Sequence, residues 1–346
     1  MSKIKLGIIG VGMAWERLHY PAMQRLKDKF EIVAVCDKDM ERAQEVGKKL
    51  GLEEAAIYND YGRMLQDEQI EAVDLMVPIP ENYEAAKAAI ESNKNLIAEK
   101  PFASSIEGAK ELIALVEKNE SKVLVAENYR YDEENKIIKQ LIEDKKIGDV
   151  VYFIDHNVTE FQKDMLKDTF ASTEWRQHPD YKGGVFLDSA IHHIARHRFL
   201  FGNADCICAA GKSLDVDFSA YSCINALITF ENQVSCQYTF YMTGKESEKP
   251  PIGLRIFGTE GEIYLEDKNC GSIHVSHNDG TQEDISYQPG EGYYHELENF
   301  YQAVRANGSI ESTPEKELGD IQVIFDILES IEKKSIIQAK NDYKRS

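Results

Sequence analysis

The sequence predicts an α/β domain built on a doubly wound parallel sheet, followed by an α+β domain. In the first third of the 346 residues, short apolar runs alternate with longer segments of helical periodicity, the pattern of parallel strands joined by helical crossovers. A glycine-rich turn follows the first apolar run directly. After residue 150, strand-like runs are joined by links such as Glu231-Asn232, which are too short for crossovers and favour an antiparallel meander.

The predicted strands of the first domain are short and apolar, and helix candidates separate them. The strands are 4–9, 31–35, 73–77, 96–98 and 123–126, and the helices are 40–50, 82–92 and 105–119. Because the strands are parallel, we expect their carboxyl ends to share one edge of the sheet, where ligands bind in open α/β folds. We divide the chain into a dinucleotide-binding domain, 1–125, and a substrate-binding and oligomerisation domain, 126–346.

The second domain mixes strands with a few helices, which predicts an α+β class. Its strands are 150–158, 222–230, 234–241, 254–257 and 262–265, and its helices are 133–144, 185–200, 294–306 and 314–333. The embedded helix 185–200 begins after a double glycine and stops at Gly202.

Charge and composition exclude several classes of function. Forty Lys and Arg against sixty Asp and Glu give a net charge of −20 at pH 7, which repels phosphate backbones and anionic membrane surfaces. We therefore expect neither a nucleic-acid nor a membrane partner. No apolar run approaches bilayer-spanning length and no signal peptide is recognisable, so we expect a cytoplasmic protein. The six cysteines form no paired CxxC motifs, and we expect buried free thiols.

The turn after the first strand carries a partial dinucleotide signature. Gly10 and Gly12 supply the first two glycines of GxGxxG, but Trp15 replaces the third, and a glycine turn alone is equally typical of ordinary structure. Asp37 ends the second strand at about the spacing where a carboxylate meets the adenosine ribose. A carboxylate there repels a 2′-phosphate, which favours NAD over NADP, although the adjacent Lys38 softens that preference. Without the glycines, Asp37 would equally suit a strand-end turn.

A lysine follows the predicted strand 96–98, in the sequence Glu99-Lys100-Pro101. At the carboxyl end of a strand, Lys100 can reach the reacting end of a bound nicotinamide coenzyme. Most lysines are ordinary solvated residues, but the proline that follows fixes the turn and can hold a cis peptide bond.

Asp188 and His192 lie four residues apart on the predicted helix 185–200, and therefore on one face of it. An imidazole moves a hydroxyl proton near neutral pH, and a nearby carboxylate can orient it, so the pair matches alcohol oxidation. The alternative is an acidic residue at a helix N-terminus beside a core histidine.

His193 and His197 share the same spacing, but Ile194 replaces the glutamate of HExxH and no further ligand cluster completes a metal site. We expect no metal and interpret both histidines as packing or surface residues. Trp175 and Arg176, in the loop before the double glycine, offer a stacking face and a cationic donor for a sugar ring or carboxylate. A loop anchored by a buried tryptophan is the alternative.

The order of the motifs resembles that of the Gfo/Idh/MocA oxidoreductases over nearly the whole chain. The shared motifs are residues 7–12, His19-Tyr20-Pro21-Ala22, Asp37, Pro78-Ile79-Pro80, Glu99-Lys100-Pro101, Asn128-Tyr129-Arg130-Tyr131, residues 183–192 and Gly258-Thr259-Glu260-Gly261. Each motif is modest alone, but few other families share this order.

The resemblance implies an N-terminal Rossmann domain and a C-terminal domain on a large, open, mostly antiparallel sheet. It implies a homodimer or homotetramer formed through that sheet. It also implies that Lys100, Asp188 and His192 line the catalytic site. The expected coenzyme contacts are Gly10, Gly12, Met13, Asp37, Pro78, Pro80, Glu99 and Lys100.

We therefore predict an NAD(P)-dependent oxidoreductase that transfers a hydride between nicotinamide and a carbinol carbon of a sugar, polyol or cyclitol. His192 is the expected general acid/base, Lys100 hydrogen-bonds the reacting oxygen, and these two roles can be exchanged. Asp188 orients His192 or binds a neighbouring hydroxyl. Ala195 and Glu84 depart from residues common in the family, so no particular substrate is implied.

Two alternatives stay open at this point. One is an NAD-dependent glycosidase that oxidises its substrate transiently. The other is a non-catalytic, cofactor-binding regulatory protein.

Overall fold

The computed structural model describes residues 1–119, 121–214, 216–244 and 253–341. Their packing forms two units. The first comprises Met1–Asn128 and Gly292–Leu318, and the second comprises Tyr129–Glu291 and Gly319–Ser346.

The chain passes through most of the second unit and then returns to the first, whereas the sequence predicts a single domain boundary after residue 125. The reason is a set of long-range contacts made by 292–318. The Val125 amide donates to the Ser312 carbonyl at 3.0 Å. Arg305 bonds the Ser2 carbonyl at 3.0 Å and the Glu71 carboxylate at 2.6 Å.

Within the described residues of the first unit, six strands form one parallel sheet in the order β3-β2-β1-β4-β5-β6. The strands are β1 Ile4–Ile9, β2 Phe30–Cys36, β3 Ile57–Tyr58, β4 Ala72–Leu75, β5 Asn95–Glu99 and β6 Val123–Ala126. The helices are α1 Tyr20–Arg25, α2 Met40–Leu50, α3 Tyr61–Met64, α4 Ile79–Glu91 and α5 Ile106–Asn119, with a π-helical turn at Trp15–His19 and a 3₁₀ turn at Glu54–Ala56. This doubly wound order reverses between β1 and β4, which confirms the predicted fold class and locates its ligand-binding edge.

The second unit is built on a mixed sheet, ordered β14-β13-β12-β11-β7-β10-β9-β8-β15 among the residues described. Its strands are β7 Val150–Val158, β8 Ala204–Lys212, β9 Cys223–Phe230, β10 Ser235–Tyr241, β11 Gly253–Gly258, β12 Gly261–Leu265, β13 Ser272–His277, β14 Gln282–Ser286 and β15 Ile337–Gln338. The remaining helices are α6 Glu133–Glu143, α7 Phe161–Asp164, α8 Glu174–Gln177, α9 Val185–Phe201, α10 Gly292–Ala306 and α11 Pro314–Lys333, with 3₁₀ turns at Asn128–Arg130 and Phe170–Ser172.

The second sheet is mostly antiparallel, as predicted, and β9 and β10 form the expected antiparallel hairpin. The pairing of β10 with β7 is parallel, so the sheet is not a simple meander. The chain between β7 and β10 contains α9, β8 and β9, and it provides the long connection that a parallel pair requires.

Helix α9 is almost entirely buried against this sheet. It begins at a sharp turn, where Gly184 has a φ of +52° and a Cβ would lie 2.4 Å from the Phe218 carbonyl oxygen. Phe186 packs near Phe240, and Phe201 stacks on Phe153 at 4.3 Å between ring centroids. The predicted helix 185–200 is thus present, and its aromatic side chains hold it on the strands.

The predictions from composition are confirmed only in part. No helix in the described ranges is long and apolar enough to cross a bilayer. The cytoplasmic location stays a prediction. The cysteines are free thiols, but only Cys36 and Cys236 are buried, and the expectation of burial is wrong for the exposed Cys208 and Cys270. Cys208 points outward because side chains alternate along β8.

A buried charge cluster anchors the inner face of α9. The carboxylate of Asp155 on β7 accepts bonds from Arg196 at 2.8 Å and from His197 at 2.5 Å. Burial alone would raise the pKa of Asp155, but Arg196 and His197 hold that pKa well below its ordinary value. The carboxylate therefore remains charged and compensates the buried guanidinium.

We predict that Asp155→Ala lowers the free energy of unfolding by about 3–5 kcal/mol, because it leaves the Arg196 charge buried without this partner. Urea unfolding measures the loss. Asp284→Ala, at an exposed position, should stay within about 0.5 kcal/mol of the wild type. Equal losses for the two variants would contradict the buried-pair account.

Candidate functional site

The turn that follows β1 lies at the point where the strand order reverses. Gly10 has a φ of +85°, and a Cβ there would lie 2.2 Å from the carbonyl oxygen of Met76. The Gly10 amide donates to the Cys36 carbonyl, and the Met76 amide donates to the Ile9 carbonyl, both at 2.8 Å. Only glycine satisfies this conformation and this close approach.

Gly12 differs from Gly10, because the protein itself does not require a glycine there. A Cβ on Gly12 would meet only the Arg42 guanidinium, at 4.0 Å. The missing side chain instead leaves the backbone of the turn accessible, which fits the approach of a pyrophosphate. Met13 follows, half-buried, and Trp15 is buried and begins the π-helical turn where a third glycine would open an ordinary helix.

Asp37 is buried beside this turn. Its carboxylate accepts the Val11 amide and the Asp39 amide, each at 3.0 Å. Arg42 lies 3.4 Å away and also pairs with Asp39 at 3.3 Å. Lys38 pairs with Glu81 at 2.6 Å. The carboxylate is thus fixed beside the glycine turn, and both neighbouring cations have acidic partners.

Pro78 and Pro80 start α4 at the carboxyl end of β4. Pro78 occupies the N-cap position and is half-buried, whereas Pro80 is exposed. A proline in the first helical turn loses no hydrogen bond, because its missing N–H would have no partner within the helix. These residues therefore lie at the same edge as the glycine turn.

Lys100 follows β5 at this edge and is half-buried. The Lys100–Pro101 peptide bond is cis, as the sequence allowed. The amide of the buried Asn82 on α4 donates to the carbonyls of Glu99 and Pro101, both at 2.9 Å. The Lys100 amide donates to the Glu99 carboxylate at 3.1 Å. The lysine backbone is therefore held on both sides.

In the second unit, Arg176 and Asp188 form an ion pair, with Nε 2.6 Å from the carboxylate oxygen. The guanidinium also stacks over the Trp175 ring at 4.0 Å. The hydroxyl of Tyr181 is buried, and burial together with Asp188 raises its pKa. A cation, a carboxylate and aromatic faces thus meet at the start of α9.

His192 stacks on Tyr129, with ring centroids 4.8 Å apart. Arg196 and Lys268 lie over the same tyrosine ring, at 5.7 Å and 5.2 Å. Tyr129, which belongs to the motif Asn128-Tyr129-Arg130-Tyr131, therefore orients the His192 imidazole. Periodicity along helix α9 does not reveal this contact.

Of the two histidines considered as metal ligands, His197 is buried and His193 is half-buried. His193 bonds the Tyr238 hydroxyl at 3.0 Å, and burial lowers its pKa to about 3. His197 bonds Asp155. Throughout the ranges that the structure describes, no group of three or more His, Cys, Asp or Glu side chains is arranged to hold a metal ion.

The predicted side chains therefore form two groups. The glycine turn, Asp37, the prolines and Lys100 share one edge of the parallel sheet, while Trp175, Arg176, Asp188 and His192 belong to the second unit. Sequence reasoning missed three side chains that hold them, namely His19, Asn82 and Tyr129. His19 and Tyr129 lie in sequence motifs shared with the family, and these motifs could have pointed to them. Asn82 lies in no such motif.

Comparison with known proteins identifies the family. Residues 4–127 match the description "Oxidoreductase family, NAD-binding Rossmann fold", and residues 139–338 match its "C-terminal alpha/beta domain". The chain belongs to the Gfo/Idh/MocA oxidoreductases. The expected family, its NAD(P)-binding fold and its enzyme class are thereby confirmed.

Relatives within this family are distant in sequence but similar in length. An uncharacterized protein of Saccharomyces cerevisiae is 27% identical, covering 88% of each chain. A D-apiose dehydrogenase of Paraburkholderia graminis is 25% identical, covering 82% of this chain and 72% of the relative. An NADP(+) D-xylose 1-dehydrogenase of Haloarcula marismortui is 22% identical, covering 97% and 93%.

Solved structures show the same fold. An oxidoreductase from Thermotoga maritima superposes with a TM-score of 0.84 at 29% identity, covering 97% of this chain and 98% of that one. A levoglucosan dehydrogenase in complex with NADH and L-sorbose superposes with a TM-score of 0.85 at 21% identity, covering 98% and 100%.

We predict that Gly12→Val lowers NAD affinity at least about tenfold while leaving the melting temperature nearly unchanged, because only the Arg42 guanidinium lies near the new side chain. Gly10→Ala is the matched variant and should lower both, since its Cβ meets backbone. Calorimetric titration and thermal unfolding make the comparison. NAD binding by Gly12→Val at wild-type affinity would remove the glycine turn from the coenzyme site.

Proposed function

We propose that this protein is a dehydrogenase that oxidises or forms a carbinol carbon of a sugar, polyol or cyclitol. The observation that carries the proposal is the position of Lys100. Its backbone is fixed by Asn82 and Glu99 at the carboxyl edge that also carries the Gly10 turn. The dehydrogenases named for D-apiose, D-xylose and levoglucosan among its relatives and structural neighbours support the substrate class.

The residues of the first unit fit a nicotinamide coenzyme, which when bound supplies the hydride acceptor or donor. The turn at Gly10, Gly12 and Met13 would hold the pyrophosphate, and Asp37 the adenosine ribose. Pro78, Pro80 and Glu99 would line the path toward the nicotinamide. Lys100 would donate a hydrogen bond to the reacting oxygen and stabilise the negative charge that develops on it.

His192 would act as the general acid/base, taking the hydroxyl proton during oxidation and returning it during reduction. Stacking on Tyr129 orients the imidazole for this task. Arg176 pairs with Asp188, so these two side chains would present a donor and an acceptor side by side to neighbouring substrate hydroxyls. Trp175 would provide a stacking surface for the apolar face of the ring.

We propose NAD as the preferred coenzyme. Asp37 would repel a 2′-phosphate, and the nearby cations Lys38 and Arg42 are paired with Glu81 and with Asp37 and Asp39. Neither cation is thus fully available to a phosphate. Parallel titrations with NAD and NADP test this preference, and tighter binding of NADP would reverse it.

We further propose a homodimer or homotetramer formed through the open face of the second sheet. Tyr152, Ile154 and Phe257 share this face, and Tyr152 stacks on Phe257 at 4.6 Å. Leu227 on the same face is 50% exposed. The same face also carries polar residues, among them Gln237 and Arg255, but a cover would still bury Leu227 and the aromatic pair, and a second copy provides one.

We predict that purified protein elutes with a mass that is a multiple of 39.3 kDa by light scattering, and that Leu227→Glu shifts it toward the single-chain mass. The shift follows from placing a charge in an apolar interface. Leu166→Glu, at an exposed position off the sheet, should change nothing. A single-chain mass for the wild type would end the assembly proposal.

We predict that Lys100→Ala and His192→Ala each lower kcat at least about a hundredfold, because each variant removes a group proposed to act in the chemical step. The substrate is found by screening sugars, polyols, inositols and sugar acids with NAD and NADP, following nicotinamide absorbance. Variants that lose less than about tenfold with the fold intact would remove both residues from the chemistry.

Other outcomes of the screen point to other functions. Cleavage of glycosides that depends on NAD, without net reduction, would indicate the transient-oxidation glycosidase. Coenzyme binding with no turnover on any class would indicate the regulatory protein.

A further inference from the structure

A histidine outside the predicted site is fully buried between two carboxylates. His19, in the π-helical turn after β1, has its Nδ1 3.0 Å from an oxygen of Asp74 and its Nε2 3.0 Å from an oxygen of Glu99. Asp74 is on β4, and Glu99 ends β5. Three elements that are distant in sequence therefore meet at one imidazole.

The geometry determines the charge of this histidine. A neutral imidazole has one N–H and can donate to only one of two flanking carboxylates. The imidazolium has two N–H groups and satisfies both. Burial opposes the charge, but Asp74 and Glu99 outweigh burial and raise the pKa of His19 well above its usual value. His19 is therefore a buried cation at neutral pH.

The groups around this triad of His19, Asp74 and Glu99 are also acidic. Glu296 on α10 and Glu127 after β6 are buried, and Tyr293 on α10 lies 5.7 Å from the His19 ring between centroids. Neither carboxyl oxygen of Glu296 has a hydrogen-bond partner among the described residues. Burial raises the pKa of Glu296, and His19 only partly opposes that rise. Burial thus favours the protonated form of Glu296.

The triad connects directly to the proposed catalytic lysine. One Glu99 oxygen bonds His19, and the other accepts the backbone amide of Lys100 at 3.1 Å. The Glu99 carboxylate is thus held by a charge-assisted hydrogen bond from His19, which is a strong and directional contact. A shift of Glu99 would move the Lys100 backbone amide, and with it the adjacent Cα that carries the lysine side chain.

We propose that His19 is a positioning residue, which through Glu99 holds Lys100 in its working position. This role rests on the proposed function of Lys100. Because His19 carries its proton more tightly in the folded state, its contribution to stability is complete below about pH 6.5. The contribution is lost as pH rises through the raised pKa. Lysine positioning and fold stability should therefore weaken together at alkaline pH.

The first experiment does not depend on turnover. In ¹⁵N-histidine-labelled protein, the His19 resonance, assigned by its loss in His19→Gln, should show both ring nitrogens protonated at pH 8. Hydrogen exchange of the Lys100 amide should accelerate at least about tenfold in His19→Gln, because Glu99 loses its anchor. A neutral imidazole at pH 8, or unchanged exchange at Lys100, would overturn the proposal whether or not the protein is a dehydrogenase.

The second experiment measures catalysis in the enzyme with its substrate. His19→Gln should lower kcat at least about tenfold with less than about threefold change in coenzyme affinity. Glu99→Gln should lower kcat to a similar extent, and the double variant should be no worse in kcat than either. The dependence of kcat on pH at alkaline pH should differ between His19→Gln and the wild type. Glu296→Gln, a neutral substitution equally buried, should match the wild type in kcat and melting temperature.

The outcomes separate the two proposals. If the losses in kcat only follow the losses in melting temperature, and Glu296→Gln shows the same behaviour, His19 has a structural role only. That result would overturn the inference. A wild-type protein with the predicted resonance and exchange behaviour but no hydride transfer would instead refute the proposed function.

Discussion

The close approach of the backbone after β1 to the end of β4 is the constraint on which the first unit depends. Gly10 passes so near the Met76 carbonyl that no side chain fits, and its positive φ turns the chain across the point where the strand order reverses. This turn opens a binding edge at the carboxyl ends of the strands. Asp37, Pro78 and Lys100 all follow strands of the same sheet, so the parallel topology alone brings them to that edge.

Helix α9 plays the corresponding part in the second unit. Its residues His193, Arg196 and His197 make contacts with the sheet strands that leave the helix little freedom to rotate. The helical repeat then fixes where Asp188 and His192 lie. Arg176 and Tyr129 add contacts from other segments. The buried charges on α9 therefore position the proposed chemistry as well as stabilise the fold.

The sequence was sufficient for the elements with strong local signals. Strand 150–158 and helices 40–50 and 314–333 occur at their predicted bounds, because periodicity and end signals are local. Pairing is not local, so the parallel partnership of β7 with β10 and the return of α10 to the first unit were missed. The same reason explains the site. Spacing along one helix revealed Asp188 and His192, but no pattern in a single sequence links His19 to Glu99, eighty residues away.

Transfer of a labelled hydride is the most direct test of the account. Wild-type protein would be incubated with NADH deuterated at the transferring position and a mixture of keto sugars and lactones, and the products analysed by mass spectrometry. The account predicts one deuterium on a carbinol carbon of a sugar or polyol, with stoichiometric NAD, and loss of that label in the Lys100→Ala protein. Tight NADH binding without label in any product would contradict the proposed chemistry.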